Sequence, residues 1–200
     1  REYGLAPTEI GIFQAALVLP FVLKIVLGVV SDRFSLFGLG HRVPYIVLGL
    51  LLQIAALLLM PYITLPDQLG VFFAAALAAA VGMALYDTST DGLAIEIIPA
   101  DERGLVQGVM VGARAAGILL ALVMGGWLVE QAGWPAIFFG LASLSLPALF
   151  LSLRHLGTEP LRAGNTFDWT IFRFLLSREA RFLAVLGCLY ALALDGVLSY

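Results

Sequence analysis

The sequence has few of the residues from which soluble proteins build charged surfaces and metal sites. Only 12% of its 200 residues are charged, about half the share found in soluble domains, whereas 61% are hydrophobic. The one cysteine, Cys188, excludes an internal disulfide and a cysteine-built metal centre. The two histidines, His41 and His155, lie far apart and lack metal-ligand spacing. We therefore expect no metal site and no disulfide-stabilised secreted domain.

Motifs for catalysis and for nucleotide binding are also missing. The sequence has no G-x-S-x-G turn, no Walker-type glycine loop, no paired-histidine motif and no Cys/His couple. Its net charge of -3 and its pI near 5.3 provide no basic surface for nucleic acid. The sequence therefore predicts neither an enzyme nor a cofactor or nucleic-acid binder, and it argues against an ATP-driven pump acting through this chain alone.

Long apolar runs dominate the sequence, whose mean hydropathy is +0.99. A run of about twenty apolar residues is long enough to cross a bilayer as a helix. Five such spans can be read, and a sixth begins near Arg181; the five cover about residues 9–30, 43–60, 68–98, 104–129 and 134–153. The expected fold is an all-α, polytopic membrane bundle. The first and last residues read as parts of a longer chain.

Arginines are distributed unevenly among the connections between these spans. The connections at 31–42, 99–104 and 154–180 contain arginines, whereas the opposite ones, "PYITLPDQ" and "EQAGW", contain neither lysine nor arginine. By the positive-inside rule, the three arginine-containing connections are cytoplasmic. We expect an N-terminal bundle at 1–153, a cytoplasmic linker at 154–180 and the start of a second bundle at 181–200.

The first cytoplasmic connection, "GVVSDRFSLFGLGHRVPYI", contains Gly28, Asp32, Arg33 and Arg42. It resembles the loop signature of the major facilitator superfamily, G-x-x-x-D-R followed by further basic residues. In that family the loop joins the second and third helices, and its Asp–Arg network helps to latch the two halves on the cytoplasmic side. The resemblance implies a partial major facilitator fold, about helices two to seven of twelve. The alternative is a charged turn that merely obeys the positive-inside rule.

Two groups within this superfamily resemble different stretches of the chain. The stretches "IGIFQAALVLPFVLKIVLGVVSDRF" and "YDTSTDGLAIE" are similar to the muropeptide permease, acetyl-CoA and folate–biopterin transporter group. That likeness implies secondary transport of a small solute by alternating access, driven by a proton or another ion, in a bacterial inner membrane. The stretch "LGHRVPYIVLGLLLQIAALLLMP" resembles bacteriochlorophyll-delivery proteins, which implies pigment delivery or assembly of a photosynthetic complex instead.

Four charged residues fall within the apolar spans at comparable depth. Asp87 and Asp91 are four residues apart and share one helix face. Arg114 lies near the middle of the next span, and Lys24 lies about one turn from the centre of the first. An unpaired arginine at the bilayer centre costs about 2.5–3.5 kcal/mol. We therefore expect ion pairs across three helices. These pairs either brace the bundle or line a cavity, in which Arg114 binds an anionic solute and Asp87 or Asp91 relays protons. The two roles are compatible.

Three further charges are candidates with less support. Glu96 and Arg103 lie near the cytoplasmic interface, where they belong either to a solvated turn or to the same cytoplasmic gate as Asp32, Arg33 and Arg42. Asp195 lies deep in the last apolar run and is a candidate for substrate binding or coupling.

Small residues recur every four positions in the fourth span, at Gly104, Gly108, Gly112 and Ala116. This spacing puts them on one helix face, where a neighbouring backbone can approach closely. The pattern predicts either packing against another helix or a sliding surface against the second bundle.

Overall fold

The computed structural model describes residues 7–158 together with positions 177–178, 181–182, 185–186 and 189. The chain divides into two compact units, Arg1–Ala163 and Gly164–Tyr200. The described residues of the first unit form six helices: α1 (Pro7–Val22), α2 (Lys24–Arg33), α3 (Val43–Leu59), α4 (Leu69–Ile97), α5 (Arg103–Ala132) and α6 (Trp134–Arg154). A short 3-10 turn, Met60–Tyr62, extends α3.

Five helical segments of the described chain are long and apolar enough to cross a membrane, and α1 and α2 together form the first of them. They are Ile10–Arg33, Val43–Tyr62, Leu69–Ile97, Arg103–Ala132 and Trp134–Arg154. These bounds lie within three residues of the five spans expected from the sequence, so the multi-pass, all-α architecture is confirmed. The expected sixth span falls largely outside the described residues, and the linker at 154–180 stays a prediction.

The first span is broken, although the sequence predicted one continuous helix. α1 ends at Val22 and α2 begins at Lys24, with Leu23 between them at φ -80° and ψ 5°. Pro20 lies one turn before the break. A proline inside a helix lacks the backbone N–H and its ring clashes with the carbonyl four residues earlier, so it kinks or breaks the helix there. The break therefore falls immediately before Lys24, at the level of the charged residues.

α3 is the most buried span of the first unit and packs against α4 and α6. A Cβ added at Gly49 of α3 would lie 2.6 Å from the Gly82 carbonyl oxygen of α4, and the reverse distance is also 2.6 Å. The two backbones can approach this closely only because neither residue has a side chain. This contact fixes the position of α4, which carries the membrane carboxylates.

α5 is the most exposed helix around its full circumference. Of its residues only Gly125 is buried, against Ile137 of α6. Within 4 Å of a Cβ added at Gly104, Gly108 or Gly112, the described part of the chain has no atom to contact. The small-residue ridge therefore does not pack against a described helix, because α5 meets α6 through its C-terminal half. The sliding surface stays a prediction.

Candidate functional site

Lys24, Asp87, Asp91 and Arg114 form one group of charges, named here the central cluster. Asp87 lies four residues beyond residue 83, the midpoint of α4, which is about 6 Å at roughly 1.5 Å per residue. Arg114 precedes the α5 midpoint, and Lys24 follows the midpoint of Ile10–Arg33, each by about 4–5 Å on the same scale. Successive spans alternate in direction, so all three lie on the same side of the middle.

Asp87 is the anchor of the central cluster. Its Oδ2 accepts a hydrogen bond from Lys24 Nζ, and its Oδ1 accepts one from Arg114 Nη2. The Asp91 carboxylate is held more loosely, with one oxygen 3.8 Å from Lys24 Nζ and the other 3.8 Å from Arg114 Nη2. The ion pairs expected from the sequence across three helices are therefore present, and they join α2, α4 and α5.

The four side chains of the central cluster differ in exposure, and Asp87 is the most buried of them. The exposed fraction of the side chain is 12% for Asp87, 29% for Lys24 and 37% for Asp91, and it reaches 49% for Arg114. The two cations and two carboxylates sum to zero charge. The cluster is therefore electrically neutral, and about half of the Arg114 side chain is exposed.

The hydroxyl groups beside these carboxylates are largely occupied. Thr88 Oγ1 donates to the Ala84 carbonyl and Thr90 Oγ1 to the Tyr86 carbonyl, each at 2.7 Å and one turn back along α4. Such bonds are the usual way in which a helix satisfies threonine in an apolar setting. Ser89 is fully buried, and its Oγ has no hydrogen-bond partner among the described residues.

A second group of polar residues, the Arg42 cluster, comprises Arg42, Asp32, Glu96 and Ser31. Arg42 donates from Nη1 to Ser31 Oγ at 3.0 Å, and from Nε and Nη2 to Glu96 Oε1 at 3.2 and 3.1 Å. Its Nη2 also forms an ion pair with Asp32. Arg42 is only 8% exposed. One guanidinium thus ties the end of α2 to the end of α4 at the start of α3.

The other predicted gate residues lie on α2 and at the start of α5. Gly28 faces Thr88 of α4, and an added Cβ would be at an ordinary 3.4 Å from Thr88 Cγ2. Arg33 is the exposed last residue of α2. Arg103 donates to the Ile98 carbonyl at 3.4 Å and so closes its own loop. Asp195 lies outside the described residues, and the gate roles stay predictions.

Two residues at the Arg42 cluster, Ser31 and Gly92, were not predicted from the sequence. Ser31 is fully buried, accepts from Arg42 and donates from Oγ to the Gly28 carbonyl at 3.0 Å. Gly92 of α4 lies directly beneath the Arg42 guanidinium. Helical spacing could have found both residues: Ser31 is three positions after Gly28, and Gly92 is four before Glu96.

Two of the apolar hollows among the described residues lie away from the central cluster. A groove of about 410 Å³ between α3, α4 and α6 is lined by residues that include Tyr86, Thr90 and His155. A cavity of about 310 Å³ at the opposite end of the bundle is lined by residues that include Trp134 and Phe138. Neither is lined by a residue of the central cluster.

Comparison with known proteins gives a consistent family. The profile of the Major Facilitator Superfamily matches residues 1–200. The anhydromuropeptide permease of Escherichia coli (strain K12) is 26% identical over 141 residues, which cover 70% of this chain and 28% of the permease. The folate-biopterin transporter of Synechocystis sp. is 29% identical over 140 residues, covering 68% of this chain and 28% of that protein.

A riboflavin transporter of Clostridioides difficile is 26% identical over 106 residues, covering 52% of this chain and 23% of that protein. The matched part of the chain thus spans about a quarter of the length of these curated relatives. No solved structure matches the chain. The relatives are a permease and transporters, which agrees with the expectation that the chain is not an enzyme.

Proposed function

The chain belongs to the major facilitator superfamily, and from this premise we propose that the protein is a secondary active transporter that moves a small anionic solute by alternating access. The observation that supports this best is Arg114, which is half exposed near mid-span depth while one nitrogen is tied to Asp87. A cation is expensive at this depth unless it is paired or wetted. A guanidinium that is anchored on one side and open on the other satisfies both conditions.

Arg114 and Lys24 are the proposed contacts of the solute. A guanidinium offers several N–H donors in one plane, which suit a carboxylate or phosphate group. Arg114 uses Nη2 for Asp87, so its remaining donors are available on the exposed side. An incoming anion would take the place of Asp91, the more loosely held partner, rather than that of Asp87.

Protons are the proposed coupling ions, with Asp91 as the exchanging group and Asp87 as the anchor. Asp91 faces Lys24 and Arg114 at 3.8 Å and is more exposed than Asp87. A carboxylate that is both reachable and loosely paired can take up a proton when an anion displaces it from its cations. Asp195 is the proposed contribution of the segment 181–200.

The cytoplasmic gate in this proposal is built around the Arg42 cluster. Arg42 holds the ends of α2 and α4 together through Asp32 and Glu96. The loops at 31–42, 99–104 and 154–180 would then face the cytoplasm of a bacterial inner membrane, with Gly28, Arg33 and Arg103 at the same level. Rocking of the two bundles would separate or rejoin this surface with the second half of the transporter.

The proposal is tested by uptake into proteoliposomes with the protein at its full natural length. The probes are an anhydromuropeptide, folate and riboflavin, the solutes that the relatives' names give. Arg114→Ala should lower uptake by about tenfold or more, the equivalent of one charge-assisted hydrogen bond.

Arg154→Ala is the matched control, because Arg154 lies over the Phe150 ring on α6, away from the central cluster. A protonophore should abolish uptake by the wild type. Wild-type uptake by Arg114→Ala would contradict the assignment. Copurified pigment without uptake would favour pigment delivery instead.

A further inference from the structure

Gly92 occupies an unusual position on α4, between Asp91 of the central cluster and Glu96 of the Arg42 cluster. A Cβ added at Gly92 would overlap Arg42 Cζ and Nη1 and would lie 2.7 Å from Nη2. Real Cβ contacts are longer than this. The Arg42 guanidinium therefore rests directly on the α4 backbone, in the space where any other residue would place its side chain.

This position of the guanidinium matters because the nitrogens of Arg42 donate hydrogen bonds in several directions at once. From this position Nη1 reaches Ser31 Oγ at 3.0 Å, Nη2 reaches Glu96 Oε1 at 3.1 Å, and Nε reaches the same oxygen at 3.2 Å. A guanidinium is planar and its donors have fixed directions, so a shift of the plane breaks these bonds together. At 8% exposure, little water is available to replace them.

Other glycines of the bundle show why Gly92 is different. At Gly49 and Gly82 an added Cβ would meet backbone atoms of the neighbouring helix, which cannot move without separating α3 from α4. At Gly92 it would meet the far end of a flexible side chain. An alanine at Gly92 should therefore displace Arg42 and spare the fold, whereas an alanine at Gly49 should damage the fold itself.

We propose that Gly92 is a positioning residue for the cytoplasmic gate: it provides the seat that holds the Arg42 guanidinium on Asp32, Glu96 and Ser31. This inference rests on the proposed function only in assigning the Arg42 cluster to a cytoplasmic gate. The seat itself requires no solute. Because Gly92 follows Asp91 directly in α4, the same turn of helix holds a central-cluster carboxylate and the seat of Arg42.

The test measures how well Arg42 covers position 31. The protein at its full natural length carries Ser31→Cys, with Cys188 and any other native cysteine replaced by serine. The thiol at position 31 keeps an acceptor for Arg42, and a membrane-impermeant maleimide is added to inside-out vesicles. We expect Gly92→Ala to raise the labelling rate by roughly tenfold, as the loss of one charge-assisted hydrogen bond implies. Gly70→Ala is the matched control on α4, because no described atom lies within 4 Å of its added Cβ.

A double-mutant cycle separates the seat from a general effect of the substitution. In an Arg42→Ala background the thiol should already label fast, and adding Gly92→Ala should change the rate by less than about twofold. Unchanged labelling of Gly92→Ala would overturn the proposal, and so would an equal acceleration without Arg42.

If Gly92→Ala unfolds the protein, the same double-mutant cycle still tests the proposal, with folding as the measured property. Recovery of folding when Arg42→Ala is added supports the seat, because the clash partner is gone; continued unfolding overturns it. Labelling does not depend on uptake. A failure of transport with an intact seat therefore counts against the proposed function alone.

Discussion

Replacing Asp87 by asparagine tests the central cluster most sharply. Among the described residues, Asp87 is the carboxylate that accepts hydrogen bonds from both Lys24 and Arg114. The substitution keeps the shape of the side chain and removes its charge. The two cations would then have only Asp91, at 3.8 Å from each, and the cluster would pass from zero to one positive charge.

The expected loss of stability depends on how deeply the charged side chains are buried. Breaking a fully buried ion pair costs about 3–5 kcal/mol, and an unpaired cation at the bilayer centre costs about 2.5–3.5 kcal/mol. Arg114 is 49% exposed and Lys24 is 29% exposed, so solvent and lipid headgroups recover part of this cost. We expect a loss of about 2 kcal/mol in the free energy of unfolding, which lowers the unfolding temperature by about 4–8 °C for a cooperative unit of roughly 150–250 residues.

The assay is thermal unfolding of the purified protein in detergent, followed by intrinsic fluorescence. Asp101→Asn, the same change in the exposed turn before α5, should leave the unfolding temperature within about 1 °C. Adding Lys24→Met to Asp87→Asn should recover part of the loss, because it removes the excess charge. Likewise, Lys24→Asp combined with Asp87→Lys should be more stable than either single variant. An unchanged unfolding temperature for Asp87→Asn, or a further loss with Lys24→Met, would refute the pairing.

Three other predictions concern single positions. Gly49→Ala should lower the free energy of unfolding by more than about 2 kcal/mol through overpacking, because its Cβ would lie 2.6 Å from an α4 carbonyl oxygen, whereas Gly70→Ala should be neutral in the same thermal assay. Glu96→Gln should weaken the hydrogen bonds of Arg42 and speed maleimide labelling at position 31, although less than Arg42→Ala does. A labelling rate equal to that of the protein with Glu96 intact would contradict this. Asp91→Asn should flatten the pH dependence of uptake, and an unaltered pH profile would rule out Asp91 as the exchanging group.

The spans could be predicted from the sequence because their length is set by the bilayer. Apolar runs near twenty residues, interrupted by proline and polar turns, fixed the helix bounds to within three residues. The break at Leu23 was not predicted, although Pro20 was visible. A proline can either kink a helix or end it, and the outcome depends on the contacts of the next turn, which hydropathy does not contain.

The ion pairs of the central cluster were also predictable, because charges at one depth in hydrocarbon must find each other. Shared depth alone could not say that Asp87 would accept both cations while Asp91 stayed at 3.8 Å. The contact of Gly92 with the Arg42 guanidinium could not be predicted from the sequence for a related reason. A glycine in a helix shows its purpose only when the neighbouring side chain is known, and Arg42 is fifty residues away along the chain.

Water access to position 114 tests the central claim of a solute passage most directly. Arg114→Cys and Leu119→Cys, each in a background in which Cys188 and any other native cysteine are replaced by serine, place thiols about 140° apart around α5 at roughly 100° per residue. Leu119 is 65% exposed, so exposure alone does not separate the two positions. In sealed vesicles with the protein at its full natural length, a membrane-impermeant thiol reagent should label Arg114→Cys and leave Leu119→Cys unlabelled. Labelling of neither thiol would mean that Arg114 faces lipid or a dry contact, and the transporter account would be contradicted.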